Sequence, residues 1–212
     1  MNLIFLGPPG AGKGTTAVKI SDFFQIPHIS TGDLFRGHIK NQTELGRQVK
    51  SIMDQGELVP DEITIEMVRQ RLREPDSTKG YILDGFPRTI HQAEALESFS
   101  RPTAVIDFEL RDETIIRRLS GRRIAPSSGR VYHIDFNPPK VEGRCDVTGE
   151  ELIQRPDDRP EAIQHRLKVY KKRTAPLIDF YRKKELLFPL NVEKPPSEVF
   201  EEVKKLVQNH SS

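Results

Sequence analysis

The 212-residue chain carries a single cysteine, Cys145, which excludes an internal disulfide and a four-cysteine zinc cluster and fits a reducing compartment. No apolar run approaches the ~20 residues that a membrane-spanning helix needs. The opening MNLIFLGPPG runs from a short apolar stretch into glycines, without the basic flank or small-residue cleavage site of a signal peptide. Charge of one sign is also lacking: 33 Lys and Arg face 31 Asp and Glu, for a formal charge of +2. This balance argues against a nucleic-acid coat or a polybasic membrane surface and leaves room for a local basic cleft. Internal repeats and low-complexity tracts are missing too. What remains is an ordinary globular composition, 35% hydrophobic and 30% charged, expected to be cytoplasmic, without nucleic-acid or membrane partners, and expected to be a monomer. The length suits one large domain, or one with a smaller insertion.

Strand-like and helical stretches alternate along most of the chain. Asn2–Leu6, Gly80–Asp84, Thr103–Phe108 and Leu186–Val192 read as buried strands. Residues 13–24, Thr89–Phe99, Glu113–Leu119, 160–184 and Ser197–Val207 read as helices, the first with Val18, Ile20, Phe23 and Phe24 available to face inward. Pro176, inside the pattern of 160–184, predicts a kink. Such alternation implies βαβ units around a central parallel sheet flanked by helices, an α/β three-layer fold with ligands at the carboxyl ends of the strands. Two stretches break the rhythm and read as mobile appendages: 30–73, three successive helices, and 121–158, a Gly- and Pro-rich, β-prone insertion.

The strongest motif is Gly7-Pro8-Pro9-Gly10-Ala11-Gly12-Lys13-Gly14-Thr15, between a strand and a helix. Glycines let backbone N–H groups close around phosphate oxygens, the helix N-terminus adds its positive end, and the lysine reaches the outer phosphates. Gly14 stands where a P-loop has Ser or Thr, with Thr15 one place later. No Asn-Lys-x-Asp element, the guanine reader of GTPase switches, is present. Asp84 ends an apolar strand and reads by position as a Walker B carboxylate; Asp107, ending another, is its rival.

Further motifs follow in order: Ser30-Thr31-Gly32-Asp33-Leu34-Phe35-Arg36, Asp84-Gly85-Phe86-Pro87-Arg88-Thr89 with Gln92, Gly121-Arg122-Arg123, Gly129 through Lys140, and Arg155-Pro156-Asp157-Asp158. With the P-loop they resemble the adenylate kinases of the long form, nucleoside monophosphate kinases that carry a β-rich lid. The resemblance covers essentially the whole chain. It implies a P-loop core of 1–29, 60–120 and 159–212, a helical NMP-binding arm of 30–59 and a lid of 121–158. It also implies reversible phosphoryl transfer from MgATP to AMP, giving ADP. A GTP:AMP phosphotransferase and a non-catalytic nucleotide-binding regulator are the alternatives, and a UMP/CMP kinase fits less well.

A tetra-anion must meet a di-anion in such a reaction, and two unit charges 4 Å apart repel by about 4 kcal/mol at an effective dielectric near 20. A dense set of cations answers this, and Lys13, Arg36, Arg88, Arg122, Arg155 and Arg166 match the family's set; arginine's planar fork binds phosphate in paired contacts. By resemblance, ATP would meet Gly10, Ala11, Gly12, Lys13, Gly14, Thr15, Arg118, Arg122, Val131, Tyr132 and Lys194, with Arg118 on the adenine. AMP would meet Thr31, Arg36, the backbone of Glu57, Leu58 and Val59, the segment Gly85, Phe86, Pro87 and Arg88, then Gln92 on the base, Arg155 and Arg166. The Phe86-Pro87 bond would be cis. Asp33 and Asp84 would hold Mg²⁺ through water. Asp157 and Asp158 match an acidic pair at the lid hinge, where plain surface charge is the alternative. His28, His91 and His165 offer no nameable partner and read as structural.

Zinc-carrying relatives have ligands at C-x2-C-x16-C-x2-C spacing, where this chain has Ala125, Ser128, Cys145 and Thr148. Structural zinc needs four N, S or O ligands, so no zinc is expected. Cys145 reads as a small packed residue rather than a reactive thiol. Val131, Ile134, Val141 and Leu152 are the apolar residues available to hold the lid together.

Overall fold

A computed structural model describes residues 1–210. Five strands, β1 (Asn2–Leu6), β2 (His28–Ser30), β3 (Tyr81–Asp84), β4 (Ala104–Glu109) and β7 (Leu187–Asn191), form one parallel sheet in the order β2-β3-β1-β4-β7. Successive side chains of a strand point to opposite faces. Leu3 and Phe5 therefore enter one core with Ala17 and Ile20 of α1 (Lys13–Phe24) and Val199, Val203 and Val207 of α9 (Pro196–His210). Ile4 and Leu6 enter the other, against Ile65 and Val68 of α4 (Asp61–Leu72), Ala93 and Leu96 of α5 (Ile90–Phe99), and Leu177 and Tyr181 of α8 (Pro176–Arg182). Apolar strands covered on both faces give the expected three layers.

The predicted strands and helices are present with ends shifted by a few residues. One strand, β2, was not predicted: three residues are too few for a period to register, and it exists because it lies beside β3 with Ser30 opposite Asp84. Within α1 the inward residues are Thr16, Ala17 and Ile20, while Val18 and Phe23 are half exposed, against expectation. Phe23 instead packs at the surface against Phe24 and Phe200, under the Lys204 ammonium.

The expected kink before Pro176 is a π-turn over Tyr170–Thr174, which joins α7 (Pro160–Val169) to α8 and is closed by Ala175 N donating to Tyr170 O at 2.9 Å. Outside the layers lie α2 (Thr31–Lys40) and α3 (Glu44–Asp54), then, beyond α6 (Asp112–Ser120), the insertion with its antiparallel pair β5 (Arg122–Ile124) and β6 (Val131–His133). No helix among the described residues is long and apolar enough to cross a membrane.

The insertion has a core of Ala125, Tyr132, Cys145 and Leu152. Of the four apolar residues expected to hold it, only Leu152 is buried; Val131, Ile134 and Val141 are exposed. Hydrogen bonds do the rest. Glu150 accepts from Ser127 N and Oγ and from Thr148 Oγ1, and Tyr132 OH accepts from Asp146 N at 2.9 Å. His133 Nδ1 accepts from Asp135 N and Phe136 N, which leaves Nε2 to donate to Arg117 O at 3.2 Å and tie the insertion to α6. Bonds from Thr148 and Tyr132 lower the Cys145 thiol to about 6, yet the side chain is only 3% exposed.

Candidate active site

β1 delivers the chain into the P-loop, and Gly12, at φ 87°, caps α1 in a conformation that favours glycine. Lys13, the first residue of α1, folds back so that Nζ donates to Gly7 O and Pro8 O, both at 2.8 Å. Burial, helped by the Arg88 and Arg166 charges and opposed by Asp84, lowers its ammonium to about 8. Asp84 ends β3 beside it. Burial pushes the Asp84 carboxyl up, but the hydrogen bond with His28 and the Lys13 charge outweigh it and hold the carboxyl below its ordinary value. A Cβ on Gly14 would lie 3.3 Å from Asp84 Oδ2, so the glycine that departs from the P-loop pattern is where the helix meets this carboxylate.

The two peripheral pieces converge on the same place. Ser30 caps α2, and Thr31, 2% exposed, donates from Oγ1 to Gly85 O at 2.8 Å. Gly85 O also accepts from Arg88 Nε at 2.8 Å, and Gly85 itself has φ 78°, where a Cβ would strike Arg88 Nη2 at 2.8 Å. The Phe86-Pro87 bond is cis. Arg88 is lowered to about 10 by burial and by Arg166 and Arg36. Arg155 is lowered to about 10 by burial and by Arg36 and Arg122, and its buried Nε has no partner among the described residues. Arg166 is lowered by burial, Asp157 acting against it. These mutual influences put Lys13, Arg36, Arg88, Arg122, Arg155 and Arg166 in one cluster.

Carboxylates hold that cluster together. Asp158, wholly buried, binds Arg122 through both oxygens and receives Arg166 Nη1 at 3.2 Å. Asp157 pairs with Arg166 Nη1 at 2.8 Å. The acidic pair is thus a scaffold for arginines rather than loose surface charge. Arg36 donates to Asp33 Oδ1 from Nε at 3.2 Å and from Nη2 at 2.5 Å.

Other expected residues have more particular surroundings. Arg118 lies against the P-loop and the end of β7, with Nη2 donating to Val192 O at 2.8 Å. Lys194 is paired with Glu202 at 2.6 Å. The Tyr132 side chain is committed to the interior of the insertion, whereas Val131 is exposed. Glu57, Leu58 and Val59 line one cavity with Thr31, Arg36, Gly85, Arg88, Gln92 and Arg166.

Four contacts escaped sequence reasoning. His28 faces Asp84 Oδ2 at 3.4 Å, and His165 Nε2 meets Glu57 Oε1 at 2.6 Å, so both histidines have partners. Asp61 accepts from Thr89 Oγ1 and Gln92 Nε2. These contacts join residues 28 or more positions apart, beyond any local period; the pairing of β2 with β3 was the signal that would have revealed the first.

A P-loop at the carboxyl edge of a doubly covered parallel sheet, ringed by six cations on three parts of the chain, defines a P-loop nucleotide phosphotransferase. The adenylate kinase family model matches residues 5–186. Curated relatives named adenylate kinase include one from Treponema denticola, 55% identical over 197 residues and 93% of each chain, and one from Clostridium perfringens strain SM101, 51% identical over 213 residues and 98% of each. Another, from Caldanaerobacter subterraneus, is 51% identical over 97% of this chain and 95% of its own. The chain belongs to the adenylate kinase family.

Proposed function

We propose that the chain transfers the γ-phosphoryl group of ATP reversibly to AMP, giving two molecules of ADP. The observation that carries this reading is the buried Nε of Arg155, without a partner among the described residues, within a cluster whose cations are destabilised by one another. Buried polar atoms are rarely left unpaired, and a polyanion would satisfy the atom and relieve the repulsion together. Lys13, Arg118 and the loop amides would serve the donor. Thr31, Arg36, Arg88, Gln92 and the 57–59 backbone would serve the acceptor, and Arg122, Arg155 and Arg166 the phosphates between them. Lys194, Val131 and Tyr132 keep their proposed donor-side place by resemblance alone.

No side-chain nucleophile is required, because positioning and neutralisation of charge carry such transfers. Mg²⁺, when bound, would supply positive charge to offset the charge that develops on the phosphates. The residues fit it: Asp84 is held ionised at the mouth of the P-loop, and Asp33 keeps one oxygen free of Arg36, so both could hold water on the ion. Among the described residues no group of three or more His, Cys, Asp or Glu could hold a metal directly.

We assign 1–29, 60–120 and 159–212 to a core, whose last two residues lie outside the described ones, 30–59 to an acceptor arm and 121–158 to a lid that excludes water, the competing acceptor. Lys40 Nζ donates to Ser127 O at 3.3 Å, so the arm and the lid meet directly.

Initial rates with ATP or GTP as donor and AMP, UMP, CMP or GMP as acceptor test the reading. Fast transfer from ATP to AMP alone is expected. Preference for GTP would move the chain to the sister activity, and nucleotide binding without transfer to any acceptor would make it a regulator.

A further inference from the structure

Gln92 is 2% exposed, and both ends of its amide are engaged by protein. Oε1 accepts from Arg88 N at 2.7 Å, and Nε2 donates to Asp61 Oδ1 at 2.8 Å. The other Asp61 oxygen accepts from Thr89 Oγ1 at 2.7 Å, and Thr89 Oγ1 in turn accepts from Gln92 N at 3.1 Å as the cap of α5. Asp61 is itself the first residue of α4, so its carboxylate sits at the positive ends of two helices at once.

The chemistry of these partners leaves the amide one orientation. An ionised carboxylate can only accept and a backbone N–H can only donate. Rotating the amide by half a turn would set Oε1 against the carboxylate and the NH₂ group against Arg88 N–H, losing two bonds and creating two repulsions. Each amide atom still keeps one bonding capacity, a donor on Nε2 and an acceptor on Oε1, on a residue that lines the acceptor cavity with Thr31, Val59 and Arg88.

We infer that Asp61 is a specificity-determining positioning residue that locks the Gln92 amide in the orientation that reads a 6-aminopurine and rejects a 6-oxopurine. Adenine presents an N6–H donor beside a ring-nitrogen acceptor, which a side-chain amide matches with its oxygen and its NH₂ group. A 6-oxopurine reverses the pattern, with O6 accepting and N1–H donating. A freely turning amide would flip to suit either base; the locked one leaves the oxo base with mismatched, unpaired groups. Asp61 touches no substrate and acts through Gln92. The inference rests on Gln92 facing the acceptor base.

The test compares AMP with inosine monophosphate as acceptor for the unaltered chain, Asp61→Ala, Gln92→Ala and the double variant, with thermal unfolding to confirm folding. Asp61→Ala is expected to lower the AMP-to-IMP ratio of kcat/KM by ~10-fold or more, raising KM for AMP and leaving KM for ATP unchanged. In the Gln92→Ala background the same change is expected to add nothing, since the effect passes through the amide. Asp61→Ser, a short side chain suited to a helix start, is the second variant if Asp61→Ala does not fold, with the same expectation. An unchanged ratio in the Asp61 variants, or an equal loss with and without Gln92, overturns the inference while leaving the proposed reaction intact. An unchanged ratio in Gln92→Ala overturns the placement of Gln92 on the base and this inference with it.

Discussion

Arg122 lies edge-on against Asp158, with Nε 2.7 Å from Oδ2 and Nη2 2.6 Å from Oδ1, and the carboxylate has no exposure to solvent. A wholly buried carboxylate in this position is the counter-charge that lets Arg122 and Arg166 stand close together. Asp158→Ala would leave two arginines facing each other without it. Breaking such a pair from one side costs about 3 kcal/mol or more, so the midpoint of thermal unfolding is expected to fall by ~6–12 °C. Calorimetry at neutral pH measures this, and a midpoint within a degree of the unaltered chain would show the carboxylate to be dispensable.

Arg88 is anchored through Nε to Gly85 O and has no carboxylate partner at hydrogen-bonding distance among the described residues, so its remaining donors are available to a phosphate. Arg88→Ala is expected to lower kcat by ~10²-fold or more, the scale of losing one donor that stabilises developing charge. Turnover equal to that of the unaltered chain would remove Arg88 from the reaction.

The buried Lys13 ammonium, lowered to about 8 from an ordinary 10.5, predicts a proton linkage. Between these values the unfolded chain binds more protons at this position than the folded one, so its contribution to stability rises as pH goes from about 8 to 10.5. Nucleotide phosphates favour the charged form and raise the folded value again. Binding of a non-hydrolysable ATP analogue near pH 9 is therefore expected to take up protons. Titration calorimetry in two buffers of different ionisation enthalpy reads the uptake, and Lys13→Met is expected to abolish it.

Asp84 ends β3 and Asp107 lies within β4, the two strands that flank β1, and their surroundings separate them. Burial, with Glu109 adding, raises the Asp107 carboxyl to about 6, so its charged form is disfavoured in the folded chain. Below about pH 4 both states are protonated; the penalty grows through about 6 and persists above it. Asp107→Asn is expected to keep kcat and raise the unfolding midpoint at pH 7 by a few degrees. Asp84→Asn is expected to lose most Mg²⁺-dependent turnover. The opposite pattern would exchange their roles.

Exhaustive chelation is expected to remove activity, and Mg²⁺ alone to restore it, with the unfolding midpoint of the nucleotide-free chain unchanged throughout. A midpoint that recovers only with zinc would overturn the account of the insertion as held by Glu150, Tyr132 and His133.

Much of the fold was legible because its signals are local. The P-loop is a nine-residue motif between a strand and a helix, and the apolar strands announce burial on both faces. Thr89 and Gln92 carry their own helix-start signature. What stayed hidden is set at long range or by scale. Val18 and Phe23 are apolar by residue type, but α1 turns Thr16, Ala17 and Ile20 toward the sheet. The insertion is too small to bury Val131, Ile134 and Val141, so hydrogen bonds between short polar side chains supply part of its cohesion. The partners of His28 and His165 lie 56 and 108 residues away, and no spacing rule reaches that far.

The π-turn at Tyr170–Thr174 changes what a single helical rod can do. One additional residue advances the phase of a helix by about 100°. Before the turn, Ile163 and Leu167 look toward Ile115 and Leu119, and Arg166 reaches Asp157; after it, Leu177 and Tyr181 look into the sheet. Within the turn, Thr174 Oγ1 donates to Arg88 O at 2.9 Å. The rod is therefore geared: one half is indexed to the phosphate cluster and the other to the sheet. Removing one residue from the turn would straighten the rod and put the two halves out of register.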